Sequence, residues 1–153
     1  MSPFDFIRDQ INESVPFANH CGVEVICLNR GEGAARLSDD PITRNHVDTH
    51  HAGALFTLGE AASGAAMAGT FAPVLLHSRA VVSDARISFK RPAMGEIHSI
   101  AKLSEDADVL LDKLQTDSEV SFQITVAIID TEDTVAAKME VDWHIRKSAH
   151  QSS

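Results

Sequence analysis

Two kinds of hydrophobic patterning divide this chain. From His51 to Val74 the residues are small or apolar, with Glu60 the one charged side chain among them. A segment apolar on every side predicts a helix buried on every side, here about Ala52 to Thr70, closed by Pro73. Downstream the period changes to two. Val120, Phe122, Ile124, Val126 and Ile128 alternate with other residues, and Val135, Ala137, Met139, Val141, Trp143 and Ile145 alternate against Lys138, Glu140, Asp142, His144 and Arg146. Each run reads as a strand with one buried face, and Asp130–Asp133 reads as the turn between them. Ile97, Ser99, Ala101 and Leu103 form a further strand, after a turn marked by Pro92 and Gly95. In Arg79–Phe89, Val81, Ala85, Ile87 and Phe89 share one face, while Asp84, Arg86, Ser88 and Lys90 share the other.

The first part of the chain is read the same way. Ser2 as N-cap, Pro3 at the first helical position and Asp5 in the first turn predict a short helix with Phe4, Ile7 and Ile11 on its apolar face, stopped by Pro16. Cys21, Val23, Val25 and Cys27 alternate as one strand, Arg30–Gly33 turns, and Ala34–Leu37 returns. Asp39–His50 is a polar loop. Ser104–Leu114 reads as a small helical insertion capped by Ser104, with Val109, Leu110 and Leu114 inward. The strands need something apolar on one face, and only the Ala52–Thr70 helix is apolar enough to serve. The expected architecture is therefore α+β: an antiparallel sheet wrapped around one long central helix, in a single domain over residues 1–147 with a frayed tail at 148–153.

Composition narrows the function. A formal charge of −9, without a basic stripe to offset it, argues against a nucleic-acid partner. Cys21 and Cys27, six apart on one expected strand, are too far separated to bridge and are read as reduced core thiols. That reading and the absence of a signal-peptide pattern point to a cytoplasmic protein. Ala52–Leu76 is long enough to suggest a membrane span. Its apolarity, however, comes mostly from Ala and Gly, and Glu60 and Pro73 interrupt it, so no membrane association is expected. His46, Asp48, His50 and His51 resemble a metal cluster in composition, but their spacing fits no standard zinc pattern, and no metal is expected.

The segment Asn45-His-Val-Asp-Thr-His-His51-Ala-Gly53-Ala-Leu-Phe-Thr-Leu-Gly-Glu60 resembles the hotdog-fold thioesterases of the phenylacetate-degradation (PaaI-like) type. Their pattern runs Asn, two residues, Gly, two residues, His-Gly-Gly, and an acid seven places on. Asn45, His51, Gly53 and Glu60 fall on that spacing; Asp48 and Ala52 stand where the family has glycines, and Glu60 where it usually has Asp. Ser88-Phe-Lys-Arg-Pro92-Ala-Met-Gly95 resembles a second family segment, and the helical insertion resembles an uncharacterised hotdog subfamily. The resemblance implies the hotdog fold, acyl-CoA thioester hydrolysis, and a homodimer or homotetramer with sites at the subunit interface.

The residues suit that chemistry. The N–H groups of Ala52 and Gly53, at a helix N-terminus, would polarise the thioester carbonyl as an oxyanion hole. Glu60 would serve as general base on water or as nucleophile, and burial should raise its pKa. Asn45 would hold the water or the carboxylate, and His51 would orient the loop. Ser63 and Ser83 are candidate pocket residues. Lys90 and Arg91, with Arg86 nearby, are local basic spots for the phosphates of coenzyme A, which enters only as part of the substrate. Two other readings stand beside this one. One is a non-catalytic hotdog protein binding acyl-CoA or fatty acid. The other is a hotdog hydratase or dehydratase of enoyl thioesters, with His46 as the partner of Glu60. The acyl chain itself is not fixed by the sequence.

Overall fold

The computed structural model describes residues 2–149. Its elements run α1 (Pro3–Ser14), α2 (Pro16–Cys21), β1 (Val23–Asn29), β2 (Glu32–Leu37), α3 (Ala52–Thr70), β3 (Ser78–Phe89), β4 (Ile97–Leu103), α4 (Ala107–Asp117), β5 (Glu119–Ile129) and β6 (Val135–Lys147), with 3₁₀ turns at Pro41–Thr43 and Ala72–His77. The six strands form one antiparallel sheet in the order β1-β2-β4-β5-β6-β3. One face of this sheet closes on α3. The alternating residues of β4, β5 and β6 supply most of the core, and Leu58, Ala62, Ala65 and Ala66 of α3 are fully buried. This is the hotdog architecture. No helix among the described residues is long and apolar enough to cross a membrane.

Several local departures from the sequence pattern have physical causes. Pro16 does not merely end a helix: α1 stops at Ser14, and Pro16 takes the first position of α2, which Gly22 terminates in the left-handed region. Cys21 therefore ends a helix and is not on β1 with Cys27. A bulge between Val25 and Cys27 then flips the register of β1, so Leu28 turns inward and Cys27 is exposed. The two cysteines are free, Cys21 half-buried and Cys27 at the surface, and neither is a core thiol. Asn12 of α1 holds the bulge, donating from Nδ2 to the Val25 carbonyl at 2.9 Å and accepting from the Val25 N–H at 2.8 Å.

On β3 a second bulge, between Val82 and Asp84, breaks the alternation. Ala80, Val82, Ala85 and Ile87 face the core, whereas Val81 and Phe89, expected inward, are exposed. In the insertion, Asp106 rather than Ser104 is the cap, accepting from the Asp108 and Val109 N–H groups. This shifts the helix to Ala107–Asp117; Leu110 and Leu114 are buried as expected, and Val109 is exposed. Of the tail expected to fray, residues 150–153 lie outside the described residues.

Candidate active site

The polar loop before α3 is held together by its own side chains. Asn45 Oδ1 accepts from the N–H groups of Val47 and Thr49, both at 3.1 Å, and Nδ2 donates to Thr49 Oγ1 at 2.9 Å and to the His50 carbonyl at 3.4 Å. Its amide is thus engaged within the loop. Asp48 adopts φ 64°, the left-handed conformation suited to the glycine that the resemblance places there. Its carboxylate accepts from Arg44, as does that of Asp39, and the two acids hold the Arg44 guanidinium above its ordinary pKa, Asp39 most strongly. His50 is buried: Nδ1 meets Thr43 Oγ1 at 2.9 Å and Nε2 donates to the Gly95 carbonyl at 2.6 Å, fastening the loop to the β3–β4 turn. No group of three His, Cys, Asp or Glu side chains among the described residues is arranged to hold a metal ion.

His51 caps α3. Its Nδ1 accepts from the Gly53 N–H at 2.8 Å, which requires that nitrogen to be unprotonated. The Ala54 and Leu55 N–H groups both turn to the His51 carbonyl. Of the two expected oxyanion donors, Gly53 is therefore occupied by the neighbouring imidazole, and Ala52 presents its N–H without a protein acceptor among the described residues. A cleft of about 310 Å³ opens at this helix end, lined by Phe17, His20 and Cys21 of α2, Ile42 and Thr43 of the loop, and His51, Gly53 and Ala54 of α3. The sequence pattern predicts no helix between Pro16 and Cys21, so the contribution of α2 emerges only in the fold.

Glu60 lies mid-way along α3, half-buried, and no hydrogen bond or ion pair to its carboxylate occurs among the described residues. Burial alone pushes its pKa above the usual carboxylate value. One turn on, Ser63 is fully buried and braces this stretch of helix: its hydroxyl donates to the Glu60 carbonyl at 2.7 Å and accepts from Trp143 Nε1 of β6 at 3.1 Å. Ser63 is not among the residues that line the cleft at the helix N-terminus. Replacing it with Ala leaves the indole N–H without an acceptor, and a loss of about 1–2 kcal/mol is expected. Trp143 is the one tryptophan, so Ser63→Ala should lower Tm and also change the intrinsic fluorescence; an unaltered emission spectrum would show that the indole bond does not persist in solution.

The remaining expected site residues are dispersed. Ser83 is exposed at the β3 bulge, bonding the Asp142 carbonyl at 3.2 Å. Lys90 and Arg91 follow the end of β3 with exposed side chains, their backbone N–H groups both on the Ala136 carbonyl. Of the expected site residues the structure thus brings His51 and Gly53 together at the cleft; Asn45, Ala52, Glu60, Ser63, Ser83, Lys90 and Arg91 are not among the residues that line it.

An antiparallel six-stranded sheet closed on one long helix places the chain in the hotdog class, and the solved structures agree. A Pseudomonas aeruginosa protein of unknown function, described as a probable thioesterase, is 24% identical and superposes with a TM-score of 0.82, covering 95% of this chain and 97% of that one. A Chlorobaculum tepidum protein of unknown function gives 0.82 at 14% identity, over 95% and 94% of the two chains. The E. coli PaaI protein of the phenylacetic acid degradation operon gives 0.74 at 15% identity, over 96% and 94%. At these identities the likeness establishes the fold. The chain belongs to the family described as a domain of unknown function (DUF4442), which matches residues 6–145. No curated protein matches it.

Proposed function

We propose that this protein is an acyl-CoA thioesterase in which Glu60 acts as general base on water, or as nucleophile, and the N-terminus of α3 binds the developing oxyanion. The observation that carries the reading is Glu60 itself: a half-buried carboxylate on an apolar helix with no partner among the described residues, its pKa raised by desolvation. Such a group costs stability unless it is paired or protonated, and costs of that kind concentrate at functional sites. A solved hotdog protein described as a probable thioesterase supports the same reading.

The spacing along α3 supports a site shared with a second subunit. Ala52 and Glu60 are eight residues apart on one helix, about 12 Å along its axis at 1.5 Å per residue. An oxyanion donor and a base must both come within about 3 Å of the same reacting centre. A complete site therefore pairs the helix N-terminus of one copy with Glu60 of another, in a homodimer or a homotetramer. The cleft walled by Phe17 and Ile42 would shield part of the thioester, and Lys90 and Arg91 would meet coenzyme A phosphates.

The test is release of free coenzyme A from short, long and aromatic acyl-CoAs. Turnover of one class at a rate well above background is expected and would name the substrate. A second reading, binding without hydrolysis, is favoured by one observation: the imidazole of His51 occupies the Gly53 N–H, leaving a single free donor at the helix end. Tight acyl-CoA binding with no coenzyme A release across the panel would overturn the hydrolase in favour of this carrier or sensor, and crotonyl-CoA absorbance would expose hydration.

A further inference from the structure

The sheet has a second face, turned away from α3, and it is not uniformly convex. A groove of about 630 Å³ crosses β4, β5, β6 and β3 on that side. Its floor is mostly apolar, and strand register dictates its layout. Ile100, Ala127 and Lys138 lie on one cross-strand rung, and Lys102, Glu140 and Arg86 lie on the next. Three cations thus line a groove on a protein whose net charge is −9. Lys138 and Lys102 make no ion pair among the described residues, although Glu32 stands opposite Lys102 across β2 and β4. Arg86 meets Glu140 at 3.6 Å, a contact between exposed groups that a competing anion can displace at little cost.

We propose that this groove binds a chain-bearing anion, its carboxylate or phosphate headgroup held by Lys138 and Arg86 and its apolar tail laid over Ala127 and Ile100. Arg86 on β3 and Ile100 on β4 lie three strand spacings, about 14 Å, apart, with Lys138 and Ala127 on the strands between them, which suits an extended chain better than a compact ion; Lys102 lies on β4 two residues from Ile100, opposite Glu32 of β2. A polymer of phosphates is disfavoured by the acidic remainder of the surface. Glu140, inside the groove, opposes the headgroup and sets its affinity. The site lies behind the sheet from Glu60, so it stands or falls separately from hydrolysis.

Titration calorimetry with dodecanoate and dodecyl phosphate below their micelle concentrations tests it, with dodecanol and inorganic phosphate as probes of tail and head alone. One of the two amphiphiles should bind with unit stoichiometry per chain, and the tighter names the headgroup. Lys138→Glu should weaken it about tenfold or more, and Glu140→Gln should tighten it by about threefold, because charged contacts at a partly desolvated site dominate head recognition. Ile100→Asp should also weaken it, and each probe alone should bind far less well. These side chains are exposed, so the variants should fold, as circular dichroism would verify. Amphiphile binding indifferent to Lys138→Glu and Ile100→Asp, or no binding at all, overturns the proposal. So does sedimentation showing that Ile100→Asp splits a wild-type oligomer, which would assign the face to a second copy of the chain.

Discussion

Glu60→Gln is expected to lower acyl-CoA hydrolysis by at least about 100-fold while making the protein more stable at neutral pH. The rate follows from the role: a positioned general base contributes about 10²–10⁴, and glutamine keeps the shape without accepting the proton. The stability follows from linkage. Desolvation raises the folded-state pKa of Glu60 above its ordinary value of 4.5. Below the unfolded value both states are protonated and burial carries no charge penalty. As pH rises toward the folded pKa, the unfolded chain ionises first, so the Glu60 contribution to stability falls, and it is lost once the folded group ionises. Wild type and Glu60→Gln should therefore melt together near pH 4 and diverge as pH rises, by about 1 kcal/mol or more, roughly 2–4 °C for a domain of this size. Hydrolysis should rise with pH through an inflection above the ordinary carboxylate range, since the base must be ionised. A folded Glu60→Gln enzyme retaining wild-type turnover would sink the mechanism. Equal Tm values at every pH would mean that a second subunit or solvent supplies the partner that Glu60 lacks among the described residues.

Which parts of this molecule were legible from sequence depends on where the determining contacts lie. The buried helix α3 and strands β4, β5 and β6 were read nearly residue for residue, because Val120 to Ile128 and Ala137 to Ile145 keep an unbroken alternation and α3 has no polar face. The bulges were not legible. Cys27 alternates with Val25 in sequence, yet the extra residue at Ile26 turns it outward, and the clamp that holds this turn comes from Asn12 on another element. Pro16 ends one helix and begins another with the same ring, and sequence alone does not separate these uses. In the loop, the spacing of Asn45, His51 and Gly53 was visible, but the closure of the Asn45 amide onto its own turn and of the His51 ring onto Gly53 is a property of side-chain conformation. Glu60 was conspicuous for a simpler reason: one charge in a long apolar run needs no tertiary information to be noticed.

Gly33→Ala and Gly69→Ala should each cost about 3 kcal/mol or more, whereas Gly59→Ala should be close to neutral. The difference lies in what the new methyl group meets. At Gly33 on β2 it would run into the Ala62 carbonyl oxygen and come within 2.6 Å of the Ala66 nitrogen and 2.7 Å of the Ala65 Cβ. Strand and helix backbones are in contact there, which is why α3 carries Ala62, Ala65 and Ala66 on that side. At Gly69 it would collide with the Asn29 carbonyl oxygen and lie 2.6 Å from its carbon. Backbone on both sides leaves no rotamer to change, so relief requires shifting α3 off the sheet, and overpacking of that kind exceeds the usual 1–3 kcal/mol. For Gly69 the helix-propensity gain of alanine, about 1 kcal/mol, is too small to compensate. At Gly59 the close neighbour is Met139 Sδ at 2.6 Å, the end of a flexible side chain, with Ile128 Cδ1 at 3.4 Å. A small rotation of Met139 relieves that contact, and the propensity gain offsets its cost. Thermal melts of the three variants should place Gly33→Ala and Gly69→Ala roughly 6–12 °C below wild type, with Gly59→Ala within a few degrees of it. If Gly59→Ala fell as far as the other two, α3 would be packed on β5 and β6 as rigidly as on β1 and β2, and the close helix–sheet approach would not be confined to the glycine side of the fold.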